Sequence, residues 1–263
     1  MRGTAGHPVR LRFTKRGKVR FIGHRDVARA FDRAFRIEQL PLAFTEGFSP
    51  RPKVSFGLAL SVGHESEAEY LDFELDEIVD PDELVGPLSA ALPEGIDVTG
   101  AVALVDRARA LQESVTAVDY LVAPIDANDQ LVSASLLSEL VDLAHRSTEL
   151  PVTQVRKGKE RVEDVLPVIR TIELVHTGGF DQASPDLGTS AVLELSLSTQ
   201  PRGARPREIL EALGVAAGLP LAGETTLFEG RVVRTAQWIE HNGARQEPLE
   251  ADVLTRTPQV CAS

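Results

Sequence analysis

VRFIGHRDVARAFDRAFRIEQLPLAFTEGFSPRPKVSFG, residues 19–57, holds the pattern from which the fold is read. An apolar segment ends at His24 and Asp26, and a helical pattern follows. A loop rich in proline and glycine then leads to a second apolar segment at Val54. At 100° per residue, Arg25, Arg29, Arg33 and Arg36 fall within an arc of about 80°. Val27, Ala30, Phe31, Ala34, Phe35 and Ile37 lie opposite them, so the spacing predicts a helix over 25–37 with an apolar face and an arginine stripe.

Working outward, Val9 to Phe13 alternate as V-R-L-R-F, a strand with Val9, Leu11 and Phe13 on one face. Residues 15–18 read as a turn and Val19 to Ile22 as extended. Leu42 to Phe44 read as a short strand, 47–52 as a stiff loop, and Val54 to Leu60 as a buried strand. Tyr70 to Leu75 alternate again. Asp80-Pro81 opens a helix over about 81–92, and Ile96 to Leu104 is a further strand. Beyond a polar connector at 106–114 the order recurs. Strand Ala117–Ala123 and helix Asp129–His145 come first, then extended stretches at 152–154 and 165–175. Strand Ala191–Ser198, helix Arg207–Leu213 and strand Thr226–Thr235 complete it. The expected fold is α+β: two tandem ferredoxin-like (β-α-β-β-α-β) units with antiparallel sheets, at 1–105 and 115–238. A mobile loop is expected at 177–190, and the polar segment 239–263 is expected to be a disordered tail.

Of the 263 residues, 43% are apolar and 25% charged, as in ordinary globular proteins. No apolar run approaches the roughly 20 residues of a membrane helix, and the first residues lack the apolar core of a secretory signal. A cytoplasmic protein with no membrane partner is therefore expected. Cys261 is the only cysteine, which excludes an internal disulfide and a cysteine-ligated cluster built from this chain alone. The net charge of −11 hides an asymmetry. Residues 1–57 hold 13 Lys+Arg and 4 Asp+Glu, net +9, whereas the rest holds 15 and 35, net −20. A basic section on an acidic body suits a directed contact with a polyanion, although a solvated basic segment has the same composition.

The candidate contact residues are Arg25, Arg29, Arg33 and Arg36, with Lys15, Lys18, Arg51 and Lys53 flanking the same helix. Asp32 is spaced to pair with Arg29 or Arg36, which tempers the stripe. His24 and Asp26 open the helix as capping and packing residues, or as alternative catalytic residues in which a neutral His24 imidazole is general base or acid on an RNA 2′-hydroxyl without a metal; the sequence supplies no matched partner for it. The remaining histidines show no metal-ligand spacing. The Gly47–Lys53 loop delivers Arg51 and Lys53 on a backbone stiffened by Pro50 and Pro52, and it serves equally as a strand connector. Glu65, Glu67 and Glu69 share one face of a strand. They read as a solvated edge, or as partners for a cation or the arginines. The segment RKGKERVED at 156–164 is a second basic turn. Walker, dinucleotide, nucleophile-elbow and C-x-x-C signatures are absent.

The strings FTKRGKVRFIGHRDVARAFDRAFR, LPLAFTEGFSPRPKVSF and LSVGHESEAEYLD resemble the bacterial radical-SAM-linked (radical SAM-associated) domain of unknown function family. The likeness is dense over 9–77 and continues through 157–169 and 205–213. This chain has Gly23-His24-Arg25-Asp26 where the family more often has Ser-His-Leu-Asp, and Ser49-Pro50-Arg51-Pro52 where it has Asn-Pro-His-Pro. His24 and Asp26 match; the second histidine does not. The resemblance implies a radical SAM enzyme as partner, with the iron–sulfur cluster and S-adenosylmethionine on that partner and no cofactor in this chain. The expected role is a non-catalytic accessory protein that binds RNA, or presents a substrate, for a partner acting on RNA or a ribosome-related target. Two other roles stay open: a metal-independent endoribonuclease using His24, and a protein-interaction module that docks the partner.

Overall fold

The computed structural model describes residues 6–105, 109–156, 159–176, 191–220, 226–241, 243–251 and 253. The chain divides into two units, one made of residues 1–60, 68–115 and 239–263, the other of 61–67 and 116–238. Both are mixed α+β with mostly antiparallel strand pairing.

The first unit holds β1 (His7–Lys15), α1 (His24–Ile37), β2 (Val54–Phe56), β3 (Glu65–Leu75), α2 (Asp82–Ala91), β4 (Val98–Ala103) and the single turn α3 (Leu111–Ser114), with strand order β4-β1-β3-β2. Helix α1 buries Val27, Phe31, Ala34 and Phe35, the i, i+4, i+7, i+8 stripe that the periodicity requires. Those side chains meet Val9, Leu11 and Phe13 of β1 and Leu71, Phe73 and Leu75 of β3. The rings interlock, with Phe13–Phe31 at 4.7 Å, Phe31–Phe56 at 5.9 Å and Phe35–Phe73 at 5.1 Å between centroids. Ile37, expected on the apolar face, is exposed, because the helix ends there and Gln39 turns the chain away at φ 51°.

Two stretches differ from the sequence reading. Residues 19–22 do not continue as a strand, because Gly17–Phe21 coils into a 3-10 turn. Lys15 causes this: its buried Nζ donates to the carbonyls of Arg20 and Ile22, both at 3.1 Å, gathering two oxygens onto one ammonium. The strand expected over 54–60 stops at Phe56, and Leu42 and Phe44 make only single bridges, to Leu75 and Pro52.

The opposite face of this sheet is also covered. Arg10 has no solvent access; its Nε and Nη2 donate to the two carboxylate oxygens of Asp72 at 2.7 and 2.8 Å, and Nη1 donates to the Pro248 carbonyl at 3.1 Å. Beside it, Leu249 packs on buried Ala68, Tyr70 and Leu111, and Glu247 reaches Arg12 at 3.7 Å. The segment expected as a disordered tail from 239 therefore has structure through 251. Residues 239–241 end a strand, residues 244–246 pair back onto them, and Arg10 holds the chain that follows. Polar composition masked this, because the anchoring group is a main-chain carbonyl.

The second unit holds β5 (Ala117–Ile125), α4 (Ala134–Arg146), the hairpin β6 (Pro151–Arg156) and β7 (Lys159–Asp164), then β8 (Ile169–His176), β9 (Ala191–Ser198), α5 (Pro206–Ala216) and β10 (Phe228–His241). Its strand order is β8-β9-β5-β10, with the first residues of β3 pairing in parallel on β10 through Val233↔Glu65 and Arg234↔Ser66. Helix α4 starts later than expected, capped by Ser133 Oγ accepting from Leu136 N. The acidic strand start is not a solvated edge: Glu65 is buried and receives Arg231 Nε at 2.8 Å, and His64 lies 3.2 Å from Glu229. The expected loop at 177–190 lies outside the described residues, as do 157–158 of the basic turn.

Replacing Arg10 by Met strips a guanidinium from a buried pair and should cost about 3 kcal/mol, read as a lower urea midpoint. Truncation after Gln246, which among the described residues removes only the Val253 bridge to Leu104, should lower the same midpoint by uncovering Tyr70 and Leu111.

Candidate anion-binding surface

Burying the aliphatic stripe of α1 turns its arginines to water. Arg25, Arg29, Arg33 and Arg36 are all exposed. Arg25, Arg29 and Arg33 are successive i,i+4 neighbours, rising about 6 Å per step, and like charges so placed repel one another by a few tenths of a kcal/mol. Two acids relieve part of this. Asp26 accepts from Arg29 Nη1 at 3.0 Å, and Asp32 pairs with Arg36, which also donates from Nε to the Asp32 carbonyl at 3.1 Å. Arg25 and Arg33 have no such partner among the described residues. Arg33 and Arg29 line a shallow groove with Ala30, Ala91, Leu92 and Pro93, where the chain leaves α2.

The other expected contact residues divide. Lys18, on the 3-10 turn, and Arg51 are exposed, and neither makes an ion pair among the described residues. Lys15 is removed from the surface set, since it is buried and commits its ammonium to two carbonyls of its own chain. Lys53 is half-buried and donates to Glu74 Oε2 at 2.5 Å, a hydrogen bond that holds its ammonium above the ordinary lysine range. It braces the loop against β3 and has less to offer a ligand than its position in the sequence suggests.

The 45–51 loop is held at its base. Thr45 N donates to the Arg51 carbonyl at 2.8 Å, Arg51 N donates to Thr45 Oγ1 at 3.1 Å, and Phe44 bridges Pro52. The sequence pattern marks this loop by its cations and not by Phe48, which stands fully exposed at its tip. The available signal was an aromatic flanked by Gly47 and Pro50 with no apolar partner at strand or helix spacing.

His24 is the first residue of α1 and is exposed, its ring edge-on to Phe56 at 5.1 Å. Asp26 is committed to Arg29, and no hydrogen bond joins it to His24 among the described residues. His24 edges a cavity of about 20 Å³, room for a water, lined also by Lys15, Phe13, Val27 and Glu69. Glu69, read in the sequence with the solvated glutamates, is buried here. Among the described residues, no three His, Cys, Asp or Glu side chains gather as a metal site, and no helix is long and apolar enough to cross a membrane.

These features define an α+β protein of two units whose first helix presents a row of cations to solvent. The chain belongs to the family described as "Uncharacterized protein conserved in bacteria (DUF2344)", whose model matches residues 9–206. No curated protein matches the chain. Among solved structures it is similar to a chain of the "Crystal Structure of a Cbf5-Nop10-Gar1 Complex", at a TM-score of 0.45 and 11% identity. That match covers 87% of this chain and 48% of the other, so this chain spans about half of that relative's length.

If α1 is an anion surface, its own acids act as internal competitors. Asp26→Asn together with Asp32→Asn should raise the salt needed to elute the protein from heparin, and Arg33→Glu should lower it. Unchanged elution in both variants would show that the face does not carry the interaction.

Proposed function

We propose that this chain is a non-catalytic accessory protein of a radical SAM enzyme and that it binds RNA, or a substrate of that enzyme carrying phosphates, through the exposed face of α1. The observation that carries this reading is the unrelieved pair Arg25 and Arg33 in a row of arginines whose remaining members are neutralised by Asp26 and Asp32. A row that costs repulsion in the free protein gains when phosphate oxygens replace water around it. The net +9 of residues 1–57 on a chain of net −11 restricts such binding to one section. The radical SAM partner follows from the sequence resemblance, and with it the placing of cluster and S-adenosylmethionine on the partner. We read each unit as ferredoxin-like, since each follows a β-α-β-β-α-β order, with the β6–β7 hairpin inserted in the second. The setting is expected to be the cytoplasm. Among the described residues His24 has no hydrogen-bonded partner to orient it as a general base, which disfavours the endoribonuclease alternative.

The test is titration of labelled RNA at several salt concentrations. Arg25→Glu/Arg33→Glu should weaken binding more than tenfold and reduce the salt slope by about two, close to one for each phosphate that is no longer neutralised. Equal affinity and slope in wild type and variant would remove RNA as the ligand. If the variant instead loses co-purification with the radical SAM enzyme while RNA binding is absent throughout, the same face docks protein.

A further inference from the structure

We propose that Phe48, at the tip of the 45–51 loop, is a stacking residue for an unpaired base of RNA. This role rests on the reading of α1 as an RNA-binding face.

Phe48 has 106% of the exposure of a reference side chain, so none of the described residues covers either face of its ring. The loop that carries it is not slack. The paired hydrogen bonds between Thr45 and Arg51 and the Phe44–Pro52 bridge close its base, and Pro50 and Pro52 fix two φ angles within and beside it. Gly47 holds φ at 127°, a conformation that side-chain-bearing residues rarely adopt, and so turns the chain immediately before the ring. A closed loop that projects an aromatic away from the core loses little entropy when the ring meets a ligand.

Charge favours a base over a protein pocket. Arg51, three residues on, is exposed and makes no ion pair among the described residues. The loop also continues the basic section that includes α1. Exposed aromatics set among cations are the equipment of single-strand binding, where bases stack on rings and arginines follow the phosphates. The contrast lies within the same unit. Ile78 is 83% exposed but follows two exposed carboxylates, Asp76 and Glu77, whereas Phe48 has one, Glu46, with the cation Arg51 on its other side. The ring of Phe21, 61% exposed, already has the Arg20 guanidinium over it at 4.7 Å.

The experiment is fluorescence anisotropy with two probes, a labelled oligouridylate and a labelled blunt-ended RNA duplex of two strands, on the full chain. Phe48→Ala should weaken oligouridylate binding about fivefold to a hundredfold and leave duplex binding unchanged, since a duplex stacks its base faces within itself. Phe48→Trp should bind as the wild type does. Phe48→Leu should behave like Phe48→Ala, because it keeps an apolar side chain but no π face. Ile78→Ala should bind both probes as the wild type does. The stacking role is overturned if Phe48→Ala keeps full affinity, if Phe48→Leu equals the wild type, which would mark an apolar anchor for a protein partner, or if Ile78→Ala weakens binding equally. Loss of affinity in Arg33→Glu with none in Phe48→Ala overturns the stacking role alone. A wild type that binds neither probe overturns it together with the RNA reading.

Discussion

A fully buried guanidinium constrains the first unit more than any other group. Arg10 occupies the face of β1 opposite the aromatic core, where it must be hydrogen-bonded to be tolerated at all. Asp72 on β3 supplies both carboxylate oxygens and Pro248 supplies a carbonyl from the far end of the chain. The tie to β3 joins the strands, and the tie to 248 brings Leu249 onto Tyr70 and Leu111. The sheet is thus covered on both faces around these residues: by α1 and α2 on one, by the chain's own C-terminal segment on the other.

That covering decides where a ligand can act. A sheet surface already occupied by Leu249 and Glu247 is not open to a polymer, so the accessible chemistry of this unit lies on the solvent side of α1 and in the loops beside it. The same burial sorts the charges. Lys15 turns inward to staple the 3-10 turn, and Lys53 turns to Glu74. Arg25, Arg33, Lys18 and Arg51 remain for whatever arrives from solvent. In the second unit Glu65 is taken up by Arg231. Its negative charge is neutralised there and does not face outward.

Much of the fold was legible in the sequence because it is local. The stripe of α1 and the alternation of β9 over Ala191–Ser198 need only the geometry of one element. So does the start of α5 at Pro206. The candidate site was legible to the same extent, since periodicity alone puts four arginines on one side of a helix. What it could not show was which arginines are neutralised, which lysines turn inward and that Phe48 stands fully exposed.

The sequence by itself determined the alternation of the main strands and helices, the two faces of α1 and the concentration of positive charge in residues 1–57. Only the tertiary structure decided the fate of Arg10, Lys15, Glu65 and Glu69, and that residues 244–251 complete the first unit. The physical reason is that alternation along a strand tells which side chains share a face, not what lies over that face. A charged residue opposite a core reads as solvated until a distant segment, here one 238 residues away, supplies its hydrogen bonds.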